Sequence, residues 1–137
     1  MATRDEVNKA VQTTLQNGTG KSVFLMEILE DTPALPYSIL YPQIGGEDKG
    51  GFQDEQERDF NFQVTSVGKD PRQSAWMSSK VEAVMTSRDG GGNYVHPILL
   101  TGHDILWRRV VFLGPLGGSG KTLFQAADIY ALRIARS

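Results

Sequence analysis

The residues most open to a chemical reading are two Gly-Lys-Ser/Thr triplets. One is Gly20-Lys21-Ser22, within NGTGKS at 17–22, and the other is Gly120-Lys121-Thr122, within GPLGGSGKT at 114–122. A phosphate-cradling loop needs a further glycine five positions before the triplet's glycine, so that backbone N–H groups converge on the phosphates. Leu15 holds that position in the first case and Pro115, which has no N–H, in the second. Both triplets miss the spacing, and both lysines read most simply as solvated turn residues.

His96 and His103 lie seven residues apart, with Asp104 adjacent and Pro97 between them. Metal binding would need a third ligand, and catalysis an activated nucleophile; the spacing supplies neither. The expectation is a hydrogen-bonded loop His96 and an exposed His103. The acids Glu47, Asp48, Asp54, Glu55, Glu57 and Asp59 are interrupted by Gly50-Gly51-Phe52. A calcium loop of the EF type needs acids at alternate positions, a closing glutamate and flanking helices, so a solvated, self-repelling loop fits better. Lining a channel, such a loop would repel DNA phosphates and let DNA pass without sticking. No cofactor or metal site is expected.

The flanking elements decide the triplets. Thr3-Arg4-Asp5-Glu6 is a capping box, and Val7, Val11 and Leu15 then form one apolar stripe on a helix that Asn17-Gly18 ends. Residues 22–29 read as a buried strand, 37–41 as a second, and 60–65 as a third with clean period-2 alternation. Between the last two runs a Gly- and acid-rich loop, 42–58, long enough to be either functional or disordered. Asp70-Pro71 starts a second helix, on which Trp76, Lys80 and Val84 adjoin a ridge of Met77, Val81 and Met85. Trp76, Met85 and Trp107 read as core. Gly90–Gly92 end that helix, 93–104 is an irregular extended stretch, and 105–113 and 123–136 are strands. Phosphate loops run strand, loop, helix; the first triplet runs helix, loop, strand, and the second joins two strands with no helix N-terminus to attract anions.

The expected fold is α+β: a mixed, mainly antiparallel sheet of about four to five strands with two packing helices, in the order α-β-β-β-α-β-β. The chain has 137 residues, a length expected for a single domain. A formal net charge of −2 gives no footprint for wrapping duplex nucleic acid. Zero cysteines exclude disulfides, thiolate metal sites and thiol nucleophiles. No apolar run approaches the ~18 residues of a membrane span, and Met1–Arg4 lead into a polar helix, so a cytosolic origin is expected. Arg108-Arg109 place one charge on each face of a strand, so one of them faces a polar environment, an acid or a partner, a hint of an interface.

Three stretches carry a resemblance: PYSILYPQIGG at 36–46, FNFQVTSVGKDPRQSAWMSSKVEAVM at 60–85, and LFQAADIYALRI at 123–134. With the element order, they resemble the tail terminator (tail tube terminator, or minor tail) proteins of long-tailed bacteriophages. The resemblance implies a non-enzymatic structural virion protein at the head-proximal end of the tail, assembled in the bacterial host cytoplasm. Copies would form a homohexameric ring that caps the tail tube, ends polymerisation of tube protein and joins the head-tail connector. DNA would pass through the lumen without sequence-specific binding, and no membrane is involved. Candidate assembly or lumen loops are 43–58, 88–93 and 114–121, with Glu47, Asp48, Lys49, Phe52, Asp54, Glu55, Glu57, Arg58, Arg88, Asp89 and Lys121; Arg108 and Arg109 are candidate interface residues. The alternatives are another neck or connector subunit, or a small phosphate-ligand-binding protein or enzyme using Lys121 and His103.

Overall fold

The structure is a computed structural model that describes residues 4–26, 33–42, 57–119 and 123–136. Its elements in chain order are α1 Arg4–Thr19, β1 Val23–Leu25, β2 Tyr37–Pro42, β3 Glu57–Gly68, α2 Pro71–Thr86, β4 His103–Ser119 and β5 Leu123–Arg136. This is the α-β-β-β-α-β-β order expected from the sequence. The strands form one sheet in the order β1-β2-β3-β5-β4. β1 and β2 are parallel and every other neighbouring pair is antiparallel, so the class is α+β.

One face of the sheet carries both helices. Val7, Val11 and Leu15 of α1 bury against Met77, Val81, Val84 and Met85 of α2 and against Leu40, Val64, Tyr130, Leu132 and Ile134 of the sheet. The i, i+4, i+8 stripe of α1 and the alternation of β5 are thus what closes the core. Asp70 caps α2: its carboxylate accepts from the Gln73 N–H at 2.7 Å, while the Gln73 side chain accepts from the Lys69 N–H at 2.8 Å. Ser74 fastens the first turn to β3 by donating to the Ser66 carbonyl at 3.0 Å.

Several boundaries differ from expectation. The first helix ends at Gly20, with φ +71°, and not at Gly18. Gly18 is a helical residue, and α2 passes so close that a Cβ there would lie 2.6 and 2.8 Å from the Val84 methyls. Gly18→Ala therefore sets a helix-propensity gain of about 0.5–1 kcal/mol against an overpacking cost of about 1–3 kcal/mol. The expected result is a net loss near 1 kcal/mol by urea denaturation; a more stable variant would show that Val84 yields freely. β1 ends at Leu25, followed by Met26 at φ 66°, so the strand is shorter than 22–29 at its described end. β3 starts three residues before Phe60, which places Pro42 on β2 and Glu57 and Arg58 on β3, opposite Ala135 and Ile134, and not in the loop. The rest of that loop, 43–56, lies outside the described residues, as do Thr3 of the capping box and Lys121.

Candidate functional site

The two edges of the sheet are built differently. β1 is one edge, and at Val23 its outward backbone groups are taken: the Gln12 amide donates to the Val23 carbonyl at 2.7 Å, and the Gln16 side-chain oxygen accepts from the Val23 N–H at 3.2 Å. These glutamines stand one turn apart on α1, on the side that faces β1, and take the place of a neighbouring strand. Thr19 finishes the seal of the turn, donating to Leu15 and accepting from the Lys21 N–H.

β4 is the other edge. Its first part is covered from within the chain by residues 88–100. The Tyr94 hydroxyl accepts from the Arg108 N–H at 2.9 Å and donates to the Arg108 carbonyl at 3.3 Å, occupying the edge at that residue. Beyond it, Val111, Phe112 and Leu113 are each about half exposed, at 51%, 54% and 49%. Among the described residues no strand pairs with this outer edge, and three consecutive half-exposed apolar residues on an edge strand are the kind of surface that monomers usually blunt with charge. Register shifts between Val110 and Phe112 and between Leu113 and Leu116 bend this stretch, and at the second the Gly114 N–H turns to the Asp128 carboxylate at 3.2 Å. Gly114 is required there, because a Cβ would collide with the Ala127 carbonyl oxygen.

Arg108 is turned inward and buried within the chain. It is 6% exposed, and its guanidinium donates to the carbonyls of His96 at 2.6 Å, Met85 at 3.3 Å and Val84 at 3.4 Å. Those carbonyls include the last turn of α2, so the cation closes the negative end of the helix. The Tyr94 ring lies between the guanidiniums of Arg108 and Arg88, 4.2 and 4.5 Å from its centroid. Burial is the main influence on Arg108 and draws it below the ordinary guanidinium value; Tyr94 acts the other way. Arg109 points outward over Trp107, and Arg133 flanks the same ring while holding Asp59 through two bonds of 2.6 and 3.0 Å. Trp107 is half-buried between the two cations, and Trp76 is 44% exposed, so neither is the core residue expected.

Asp89 and Arg88 have structural partners. The Asp89 carboxylate accepts from the N–H groups of Gly91 and Asn93, shaping the glycine turn, and Arg88 donates to the Tyr94 hydroxyl at 2.8 Å. His96 and His103 are both half-buried and line two neighbouring clefts that share Pro97, Leu99, Leu100 and Thr101, one histidine to each cleft. His103 Nδ1 donates to the Thr101 carbonyl at 2.9 Å. Among the described residues no group of three or more His, Asp or Glu side chains could hold a metal. Glu47, Asp48, Lys49, Phe52, Asp54, Glu55 and Lys121 lie outside the described residues.

No protein-family model matches the chain, and no curated protein matches its sequence.

A buried acid completes the β4–β5 region. Asp128 is 1% exposed; besides the Gly114 N–H it accepts a short bond from the Ser78 hydroxyl. Its signal in the sequence is an acid in phase with Tyr130, Leu132 and Ile134. Burial raises its carboxyl above the ordinary range, partly offset by these two donors. A raised folded-state value stabilises fully below the unfolded carboxyl value of about 4, and this contribution is lost as pH rises through the folded value. Asp128→Asn keeps an acceptor for Gly114 and adds a donor for Ser78. Its expected unfolding free energy at neutral pH is unchanged or higher by about 1 kcal/mol, with a flatter stability profile above about pH 4. A loss beyond about 2 kcal/mol in the same titration would show that the charge itself is needed.

Proposed function

We propose that this chain is a structural ring protein of the tail terminator type: it self-associates through the open part of β4, caps a tail tube and meets the head-tail connector. The observation that carries the reading is the contrast between the edges. On β1 both outward groups of Val23 are held by Gln12 and Gln16, while among the described residues no strand pairs with the outer edge of β4, where Val111, Phe112 and Leu113 are half exposed. Two copies meeting edge to edge through β4 would stop at a dimer, so a ring requires β4 of one copy to meet a different surface of the next, a heterologous contact whose rotation closes. Such closure is what a terminator needs, since it stops growth at the end of a tube. The net charge of −2 accords with a lumen through which DNA passes without being held.

The phosphate-binding rival has little local support. Gly20 caps a helix that precedes a strand, and the second triplet falls between β4 and β5, two antiparallel strands. Neither offers the N-terminus of a helix to an anion. Thermal unfolding with and without millimolar ATP separates the readings. No shift in midpoint is expected; a rise of several degrees that Lys121→Ala abolishes would replace a ring protein with a nucleotide binder.

A further inference from the structure

The residue that ends β1 has an unusual conformation. Met26 has φ 66°, in the left-handed region that residues with a side chain seldom enter. Its N–H donates to the Leu40 carbonyl at 2.9 Å, so the last bond between β1 and β2 holds it there. The side chain gains no burial in return, being 57% exposed. A costly backbone conformation that leaves an apolar side chain in water calls for a role beyond the isolated chain.

Tyr41, 37% exposed, stands beside it. Leu25 pairs with Leu40, so the next residues on the two strands are Met26 and Tyr41. Leu40 belongs to the helix-side core, which places its neighbours Ile39 and Tyr41 on the opposite face of the sheet.

The register carries this position across the sheet. Tyr41 lies opposite Gln63, Gln63 opposite Ile129, and Ile129 opposite Phe112. Ile129 precedes Tyr130 of the helix-side core, so the whole row lies on the outer face. One row therefore runs from the Met26–Tyr41 corner at the β1 edge to Phe112 at the β4 edge. Both ends present uncharged, partly exposed side chains at the same level along the strands.

That shared level bears on closure. Head-to-tail contacts close into a ring when successive copies are related by rotation alone, and any rise per copy gives an open helix. With the ring axis along the strands, two edge patches in one row meet without a rise. They cannot meet within one chain, because four strand-to-strand steps, roughly 19 Å, separate β1 from β4.

We propose that Phe112 of one copy packs against Met26 and Tyr41 of the next copy. The inference rests on the self-association proposed above and names the second surface that β4 needs there. A thioether against an aromatic ring is a favourable contact, and the unbranched methionine side chain adapts to its partner. The side chains of Gln12 and Gln16 hold Val23, three residues before this corner.

The absence of native cysteine makes the test direct. One preparation carries Tyr41→Cys and the other Val111→Cys, which leaves Met26 and Phe112 in place. They are mixed at high concentration, oxidised, and run on a denaturing gel without reductant, while light scattering of the same sample reports association. The expected product is a mixed disulfide dimer at least tenfold more abundant than either homodimer. An excess of the Val111→Cys homodimer would show β4 meeting β4 about a two-fold axis and overturn the contact. A multimeric sample without the mixed dimer also overturns it and leaves self-association standing, whereas a strictly monomeric sample overturns both. Met26→Gly supplies a second reading, since glycine suits the left-handed φ and removes the side chain. This variant should resist urea at least as well as the parent and associate at least tenfold more weakly. Association at the parent's strength overturns the role of Met26, and a less stable variant would show that contacts within its own chain hold the residue, which also counts against the proposal.

Discussion

Arg108→Ala should lower the unfolding free energy by about 3–5 kcal/mol, the range for removing one partner of a buried charged network. The guanidinium serves three carbonyls at once, two of them at the end of α2 and one at His96 in the segment that covers the start of β4. Alanine would leave those acceptors buried with no donor and remove the surface on which Tyr94 packs. Folded domains hold only about 5–15 kcal/mol in reserve, so much of the variant should be unfolded well below the parent's midpoint. Arg108→Lys should fall between the two, because a single ammonium cannot reach all three carbonyls in the fork geometry of arginine. Urea denaturation followed by circular dichroism gives the numbers. A loss under about 1 kcal/mol for Arg108→Ala would mean that water replaces the guanidinium at little cost.

Phe112→Asp should leave the folded chain nearly as stable as before while weakening self-association about a hundredfold. Its side chain is 54% exposed on an edge strand, so its removal costs the isolated chain little. Buried against another copy it would contribute about 2–3 kcal/mol, and a carboxylate in its place adds a desolvation penalty to every contact. A loss of 2.7 kcal/mol corresponds to about a hundredfold in the dissociation constant. Sedimentation equilibrium of parent and variant over a shared concentration range reads this directly. An unchanged association constant would remove β4 from the interface.

The sequence was most informative where one periodicity acts alone. Val7, Val11 and Leu15 announce the buried stripe of α1, Asp70-Pro71 the start of α2, and Asp128 to Ile134 the inward face of β5; each of these is in place in the structure. Legibility failed where a bulge or a close approach resets the phase. The register shift between Ile105 and Trp107 decides that Arg108 points in and Arg109 out, and period-2 counting has no access to it. Gly18 looks like a helix stop in sequence, but it is a helical residue kept small by Val84 from α2, a neighbour distant in the chain. In the sequence Trp76 and Val84 adjoin Met77, Val81 and Met85 on neighbouring ridges of α2, and only packing against α1 and the sheet buried Val84 with them while leaving Trp76 exposed. The cover that two glutamines give Val23 of β1 and a tyrosine hydroxyl gives Arg108 of β4 is tertiary throughout, since no local pattern marks a side chain that stands in for a strand.

Self-association into a closed ring is the claim on which the functional reading depends, and negative-stain electron microscopy of the purified chain at high concentration tests it most directly. The predicted images show rings of uniform diameter with a central hole, lost in Phe112→Asp. Particles of monomer size at every concentration, for parent and variant alike, would contradict it.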